Sequence, residues 1–494
     1  MLTVPPGAFI EGDGGSTNIR QTDLTKGALV WDAANAQGGI RDINISAAAP
    51  LYNSPGSIGT ALNLRNVTEN FMVSNVKIMN FDTGITLQNA YSGLFQNVTI
   101  GYFRDIAVSI LDSTIGKHPS NDNRFHHFKV QNIQMVSGGT PVVPNPVIGV
   151  VSLTGGHQIG LLEQAGGGNF FGDWDVINVG YGLYNQPIAG KTVAYSSYTD
   201  FLADTSYYDN ITLDGAYGNL ASLHFTNGWA SYSTSGSGLV TKGANLSGVQ
   251  FVGGRLRQNG KHGWDHQGGR EIELIGTQVA SNSKLASLTY HGVRVAAGVS
   301  GWKITGGRIG NLNQGELWAQ ADSVHIDAGS SNRFSIVGVD LSGPGAFLIN
   351  NNATGRDQII SGNLPKTSGV NQTAVAPFTG STRNVVPAGT ILFLGSNGEQ
   401  ADAYRTSYLV SRAAAVTRVY VASSAPPGTG QNYAYTLLKN GSPTALGGNI
   451  VGAATEANFH GLVVVGPNDS LAIQVITSPG SSPEFHRWLI EPSD

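Results

Sequence analysis

The sequence predicts an all-β chain, a right-handed parallel β-helix of about eleven coils followed by a C-terminal β-sandwich. Three observations carry this. A strand-and-bend phrase returns five times between Asn245 and Pro365: Val249-Gln250-Phe251-Val252-Gly253, Ile272-Glu273-Leu274-Ile275-Gly276, Trp302-Lys303-Ile304-Thr305-Gly306, Phe334-Ser335-Ile336-Val337-Gly338 and Gln358-Ile359-Ile360-Ser361-Gly362. Apolar–polar–apolar is the period of a strand, and a repeat this short has no room for a βαβ unit. The composition agrees, with 67 Gly and 12% charged residues among 494, the profile of a chain full of bends rather than helices. Beyond Leu364 the repeat stops and longer alternating segments begin.

In chain order, Val4-Pro5-Pro6-Gly7-Ala8-Phe9-Ile10-Glu11-Gly12 is a proline-stiffened lead-in, within a lead-in segment covering residues 1–40. Rungs follow at Asp42-Ile43-Asn44-Ile45, Asn75-Val76-Lys77-Ile78 and Asn97-Val98-Thr99-Ile100, with partner strands at Gly84–Leu87 and Ile106–Ser109, and then at Asn132–Met135, Ile177–Gly180 and Asn210–Leu213. Asn precedes the strand at 75, 97, 132 and 210. It tolerates the left-handed conformation and can bond along a stack of rungs roughly 4.8 Å apart, so an asparagine ladder is expected. The polar residues inside the phrases (Lys77, Thr99, Gln134, Asn178, Thr212, Gln250, Glu273, Lys303 and Ser335) are expected to form one outward column. Residues two after the glycine bend, Arg255, Gln278, Arg308 and Asp340, are expected to form another. In these columns Glu273 would pair with Lys303, and Arg308 with Asp340.

Between 111 and 245 the spacing stretches, and loop insertions are expected at Leu111–His127, Val136–Gly172, Asn185–Asp209 and Ser231–Ser237. The helix domain would end at 364, with a Thr/Ser/Gly/Pro-rich linker at 365–384. A β-sandwich would then occupy 385–494, with strands near Thr390–Leu394, Thr417–Ala422, Tyr433–Leu438, Gly461–Val465 and Ser470–Ile476, a hairpin at Lys439-Asn440-Gly441 and a closing strand at Phe485–Ile490.

The net charge of −4 offers nothing to nucleic acid, no apolar run is long enough to span a membrane, and no basic leader opens the chain. Cysteine is absent, which removes disulfides, thiolate nucleophiles and Cys-bound zinc. His126, His127 and His157 lack metal-ligand spacing, so no metal and no cofactor are expected.

The lead-in, with Asn259-Gly260-Lys261-His262-Gly263 and His291-Gly292-Val293-Arg294-Val295, resembles the pectin-lyase-like β-helix of bacteriophage tailspikes over residues 1–365. That resemblance implies a homotrimer in the virion tail that binds and cuts a bacterial surface polysaccharide (capsule, exopolysaccharide or O-antigen). It further implies attachment to a phage tail or adaptor protein through an N-terminal region that this sequence lacks. It gives the C-terminal domain a role in trimerisation or glycan binding.

Glycoside hydrolysis needs two carboxylates, about 5 Å apart for retention or 6.5–9.5 Å for inversion. Asp204 with Asp209, in a Tyr-rich stretch that also holds Asp200, and Asp173 with Asp175 around Trp174 are the candidate pairs. Tyr198, Tyr207, Tyr208 and Trp229 are candidate sugar-stacking rings. Arg255, Arg257, His262 and His266 form a titratable patch that would hold an anionic sugar or, in a polysaccharide lyase, neutralise a uronate and remove its proton. A non-catalytic adhesin using the same aromatic groove is the alternative from another class.

Overall fold

In the computed structural model, the periodic part of the chain winds into a parallel β-solenoid of about 12 turns. The structure describes residues 1–23, 25–48, 59–112, 120–132, 136–137, 140–141, 143–311, 319–341, 347–354, 358–363, 378–382, 386–395, 398–400, 408–409, 414–466 and 469–493. Two compact units part near Ile360.

One rung shows how the sequence makes the coil. Residues 170–172 form a first wall, Asp173 turns the corner at φ 52°, residues 174–177 form a second wall, Asn178 turns again at φ 55°, and Tyr181–Asn185 forms a third. The first corner recurs on neighbouring rungs at Asp42, Asn75, Asn97, His127, Asp173, Asp200 and Asn227, all with positive φ, and then at Gly253, Gly276, Gly306 and Gly338. Asn and Asp reach this conformation at low cost, and glycine at none.

The expected ladder is present at this corner. Asn97 Nδ2 donates to Asn75 Oδ1 at 3.0 Å, and Asn75 Nδ2 donates to Asp42 Oδ1 at 2.8 Å. Asn132 and Asn210 belong elsewhere, in buried amide pairs beyond the second corner. Asn210 Nδ2 donates to Asn259 Oδ1 (2.8 Å), Asn259 Nδ2 to Asn282 Oδ1 (2.9 Å) and Asn282 Nδ2 to Gln320 Oε1 (2.9 Å). Asn132 Nδ2 donates to Gln158 Oε1 at 3.3 Å.

The long outward column expected from the phrases is in fact several. Lys77 and Thr99 pair on the second wall, after the corner. Gln250, Glu273, Lys303 and Ser335 pair on the first wall, before it. Asn178 is itself a corner, Thr212 lies on the third wall, and Gln134 is outside the described residues. The cause is that Asn opens the early phrases whereas Gly closes the later ones. Both occupy the same left-handed corner, so aligning the apolar residues crosses it. The Arg255–Gln278–Arg308 column is continuous, and the Glu273–Lys303 pair (2.8 Å) and the Arg308–Asp340 pair (3.8 Å) both form.

Much of the chain expected as loop is wall. Arg124–Gln131, Phe170–Ile177 and Ser197–Asp204 are strands whose inward positions carry aromatic rings, and Ile159–Glu163 is an aliphatic strand of the third wall. Phe95, Phe125, Phe171, Tyr198, Phe225 and Phe251 stack through the core at ring-centroid spacings of 4.3–5.5 Å. The inward row of the third wall also carries Glu163, fully buried. The Tyr198 hydroxyl donates to its Oε2, and Asn169 Nδ2 and Ser196 Oγ reach its Oε1.

In the second unit, Phe378–Ser381, His486–Ser493, Ala414–Ser423 and Glu456–Val465 form one antiparallel sheet, and Ile391–Gly395, Ser470–Thr477, Gly428–Lys439 and Ser442–Gly452 form the body of another. Val419, Tyr435, Leu437, Ile473, Trp488 and Ile490 are among the buried side chains of their shared core. Asn440 (φ 52°) and Gly441 (φ 77°) make the two-residue hairpin, with Lys439 opposite Ser442. Most of the segment expected as a linker lies outside the described residues, but Phe378–Ser381 within it is a strand of this unit.

Replacing Asn259, whose amide serves four buried partners, by Ala is expected to cost about 3 kcal/mol in urea unfolding. The exposed ladder variant Asn97→Gly should cost under about 1 kcal/mol. Burial lifts the Glu163 carboxyl to about 7. The folded state therefore holds the proton more tightly than the unfolded chain, so this group's contribution is complete below about pH 4.3 and lost as pH rises through the folded value. Thermal unfolding of Glu163→Gln should lack that part of the alkaline loss, and identical pH profiles would refute the assignment.

Candidate functional site

The second wall brings together residues that are distant in sequence. Two outward columns run along it: Lys129–Asp175–Leu202–Trp229–Arg255 and Gln131–Ile177–Asp204–Ser231–Arg257. Between them Val130, Val176, Ala203, Ala230 and Leu256 point inward and are buried, which is why the flanking residues must face out. Asp175 and Asp204 are diagonal neighbours, one rung and two residues apart, which puts their Cα atoms about 8 Å apart.

Neither carboxyl sits in an ordinary environment. Burial raises Asp175, and Lys129 on the preceding rung partly offsets this. Asp204 is raised first by burial and further by the charge of Asp175, with the Thr205 amide and Lys284 opposing. Asp204 Oδ1, Ser231 Oγ, Trp229 Nε1 and Arg257 Nε are each shielded and without a hydrogen-bond partner among the described residues. Four such atoms on one stretch of wall form polar capacity that no group among the described residues satisfies. The Arg255 guanidinium lies over the Trp229 ring at 4.9 Å, and Lys284 lies over Tyr232 at 5.3 Å. A cleft of about 280 Å³, lined by Asp200, Leu202, Asn227, Trp229 and Arg255 among others, opens beside them.

The two carboxylate pairs drawn from sequence are thus recombined, one member from each. Asp173 is a corner residue whose carboxylate contacts His127 at 3.3 Å. Asp200 is the next corner and accepts from Asn227 at 2.6 Å. Asp209 faces away from Asp204 and accepts the Ser237 amide at 2.7 Å, and burial raises its carboxyl. Tyr198 is sealed in the core stack and cannot meet a sugar. The Tyr208 hydroxyl donates to Pro144 O (3.0 Å) while its ring stacks on Tyr181, and Tyr207 packs edge-on against it.

The basic patch does not converge either. Arg255 and Arg257 are on the second wall, but His266 is inside the core, beside the Thr241 hydroxyl at 2.8 Å, and burial lowers it to about 3. His262 is buried beside His291 and is likewise lowered to about 3, chiefly by burial. The alternation of polar and apolar residues cannot say on which side of a corner a short strand continues, and that decided both cases.

Sequence reading missed a second close acid pair, Asp82 and Asp105, whose turns sit on adjacent rungs. Arg104 contacts both, at 3.1 and 3.6 Å, and the backbone amides of Gly59 and Gly156 bind their other oxygens. These contacts tie the two turns together. The pair's signal was the 23-residue spacing, close to one coil.

No protein-family model matches the chain, and no curated protein matches it. Among solved structures the chain is similar to the tailspike protein 2 enzymatically active domain of bacteriophage CBA120, with 11% identity and TM-score 0.43 over 98% of this chain and 76% of that one. It is also similar to the tailspike protein gp49 of Pseudomonas phage LKA1, with 11% identity and TM-score 0.40 over 96% and 91%. A third is the A-module of the Azotobacter vinelandii mannuronan C-5 epimerase AlgE4, with 16% identity and TM-score 0.41 over 69% and 86%.

The coupling of the two carboxyls is directly measurable. In ¹³C-aspartate-labelled protein, Asp175→Asn should lower the titration midpoint of Asp204, because it removes a like charge. Lys129→Gln should raise that of Asp175. An Asp204 midpoint indifferent to Asp175 would separate the two groups.

Proposed function

We propose that the chain is a tailspike depolymerase that binds a bacterial surface polysaccharide and cleaves it by endo-glycosidic hydrolysis at Asp175 and Asp204. The observation that carries this reading is the pair of half-buried, outward carboxylates on neighbouring rungs, beside a half-buried indole and three cations.

The environments divide the labour. Asp204 is raised by burial and by its neighbour's charge, which favours its protonated form and suits it to serve as the general acid to the glycosidic oxygen. Asp175, with Lys129 favouring its ionised form, serves as the base that takes a proton from water. Their diagonal placement suits the wider carboxylate separation and hence inversion at the anomeric carbon. Trp229 offers a ring face to a sugar, and Arg255, Arg257 and Lys284 suit an anionic saccharide.

A lyase is the second reading, favoured by Arg257 and Lys284 near Asp204, which could neutralise a uronate while a carboxylate removes its proton. The homotrimer, the location in the virion tail and attachment to a tail or adaptor protein belong to this proposal as well. Leu462 and Val464, exposed on an edge strand of the second unit, are apolar surface consistent with assembly, which light scattering would read.

Purified protein is to be incubated with polysaccharides from candidate hosts while chain length, reducing ends and ultraviolet absorbance of unsaturated products are followed together. New reducing ends without absorbance are expected. Asp204→Asn and Asp175→Asn should each lower the rate at least about 100-fold, the low end for a general acid or base, while glycan retention persists. Rising absorbance would replace hydrolysis by elimination, and retention without shortening would leave an adhesin.

A further inference from the structure

Further along the solenoid the third wall carries a group of side chains that the polysaccharide reading does not use. His291 precedes the strand Val293–Val295, and Asp322 and His325 lie on Asp322–Gly329 of the next rung. Asp322 Oδ2 lies 3.0 Å from His291 Nδ1 and 2.7 Å from His325 Nδ1. The two imidazoles are stacked, with centroids 4.2 Å apart and planes 16° apart. One ligand atom from each of the three residues lies within 4.8 Å of the others.

We propose that His291, Asp322 and His325 form a binding site for a first-row divalent cation of the zinc type.

The positions of the imidazole protons decide which nitrogens can bind. His325 Nε2 lies 3.4 Å from Asp327 Oδ1, and Asp327 is itself held by Arg294 at 2.7 Å. A carboxylate on the outer nitrogen of a histidine fixes the proton there and leaves the other nitrogen as a ligand, the usual arrangement behind a metal-bound imidazole. In the absence of a metal the 2.7 Å contact of His325 Nδ1 with Asp322 Oδ2 is a hydrogen bond from an Nδ1 proton; shifting that proton to Nε2, beside Asp327, frees Nδ1 to bind a cation together with Asp322. His291 Nδ1 points at the same oxygen.

A second observation points to a ligand. Asp322 is 3% exposed, and its Oδ1, like His291 Nδ1, has no hydrogen-bond partner among the described residues. Asn350 Nδ2 reaches only Oδ2, at 3.5 Å. A buried carboxylate with one oxygen idle and the other facing two aligned imidazoles is a donor set of two nitrogens and one carboxylate, which suits zinc and its first-row neighbours and leaves a coordination position open. Spacing along the chain conceals it, because His291 and Asp322 are separated by a full coil.

Such an ion would clip two rungs together, which makes stability a readout independent of any glycan. The test uses untagged full-length protein dialysed against chelator and titrated calorimetrically with zinc chloride. One zinc per chain at about micromolar affinity or tighter is expected, with a rise in Tm at excess zinc. Asp327→Asn should weaken binding about 10–100-fold, as loss of the group orienting a ligand does. The pair Asp322→Asn and His325→Gln should abolish binding while circular dichroism stays unchanged. Cobalt(II) added to wild type should give visible absorption bands of low coordination number, a check that does not depend on variants. Absence of saturable uptake of zinc or cobalt, or uptake that survives in the double variant, would overturn the site.

Discussion

The structure depends on one backbone constraint, the left-handed residue at the corner between the first and second walls. Each rung must turn there on a single residue, and each turn must sit above the last for the walls to pair in register. Asp, Asn, His and Gly fill the position from Asp42 to Gly338. Where the residue carries an amide or carboxylate, it also bonds to the next rung, as between Asn97 and Asn75. Where it is glycine, the corner itself contributes no side-chain bond to the stack. The same constraint sets Asp173 and Asp200 on the corner rather than on a wall, where they contact His127 and Asn227.

Local sequence reported the rung and its alternation but was silent on which wall a residue occupies. The five late phrases, the Glu273–Lys303 pair and the Arg255–Arg308 column were legible because register there follows directly from the glycine bend. The early rungs were harder, since Asn stands first in its phrase and Gly last in later ones although both make the same corner. Rungs with aromatic interiors were read as loops, because Phe125-His126-His127-Phe128 lacks the aliphatic pattern of Val-Gln-Phe-Val.

The carboxylates illustrate a deeper limit. Asp175 and Asp204 were each visible as candidates but were assigned to different pairs, because spacing within one strand is readable and adjacency between rungs is not. Tyr198 shows the converse. A tyrosine-rich stretch suggests a binding face, yet this ring fills the core stack while its hydroxyl donates to buried Glu163. Composition recorded the ring, and only the coil's inward register decided its use.

The in-register walls make the surface a ruler with marks about 4.8 Å apart. A chain-like molecule lying along the axis meets one outward residue of each column per mark. Exchanging the residue at one mark leaves every corner and every inward side chain in place. Recognition can therefore be rewritten one mark at a time, whereas a residue inserted at a corner would throw the wall that follows it out of register.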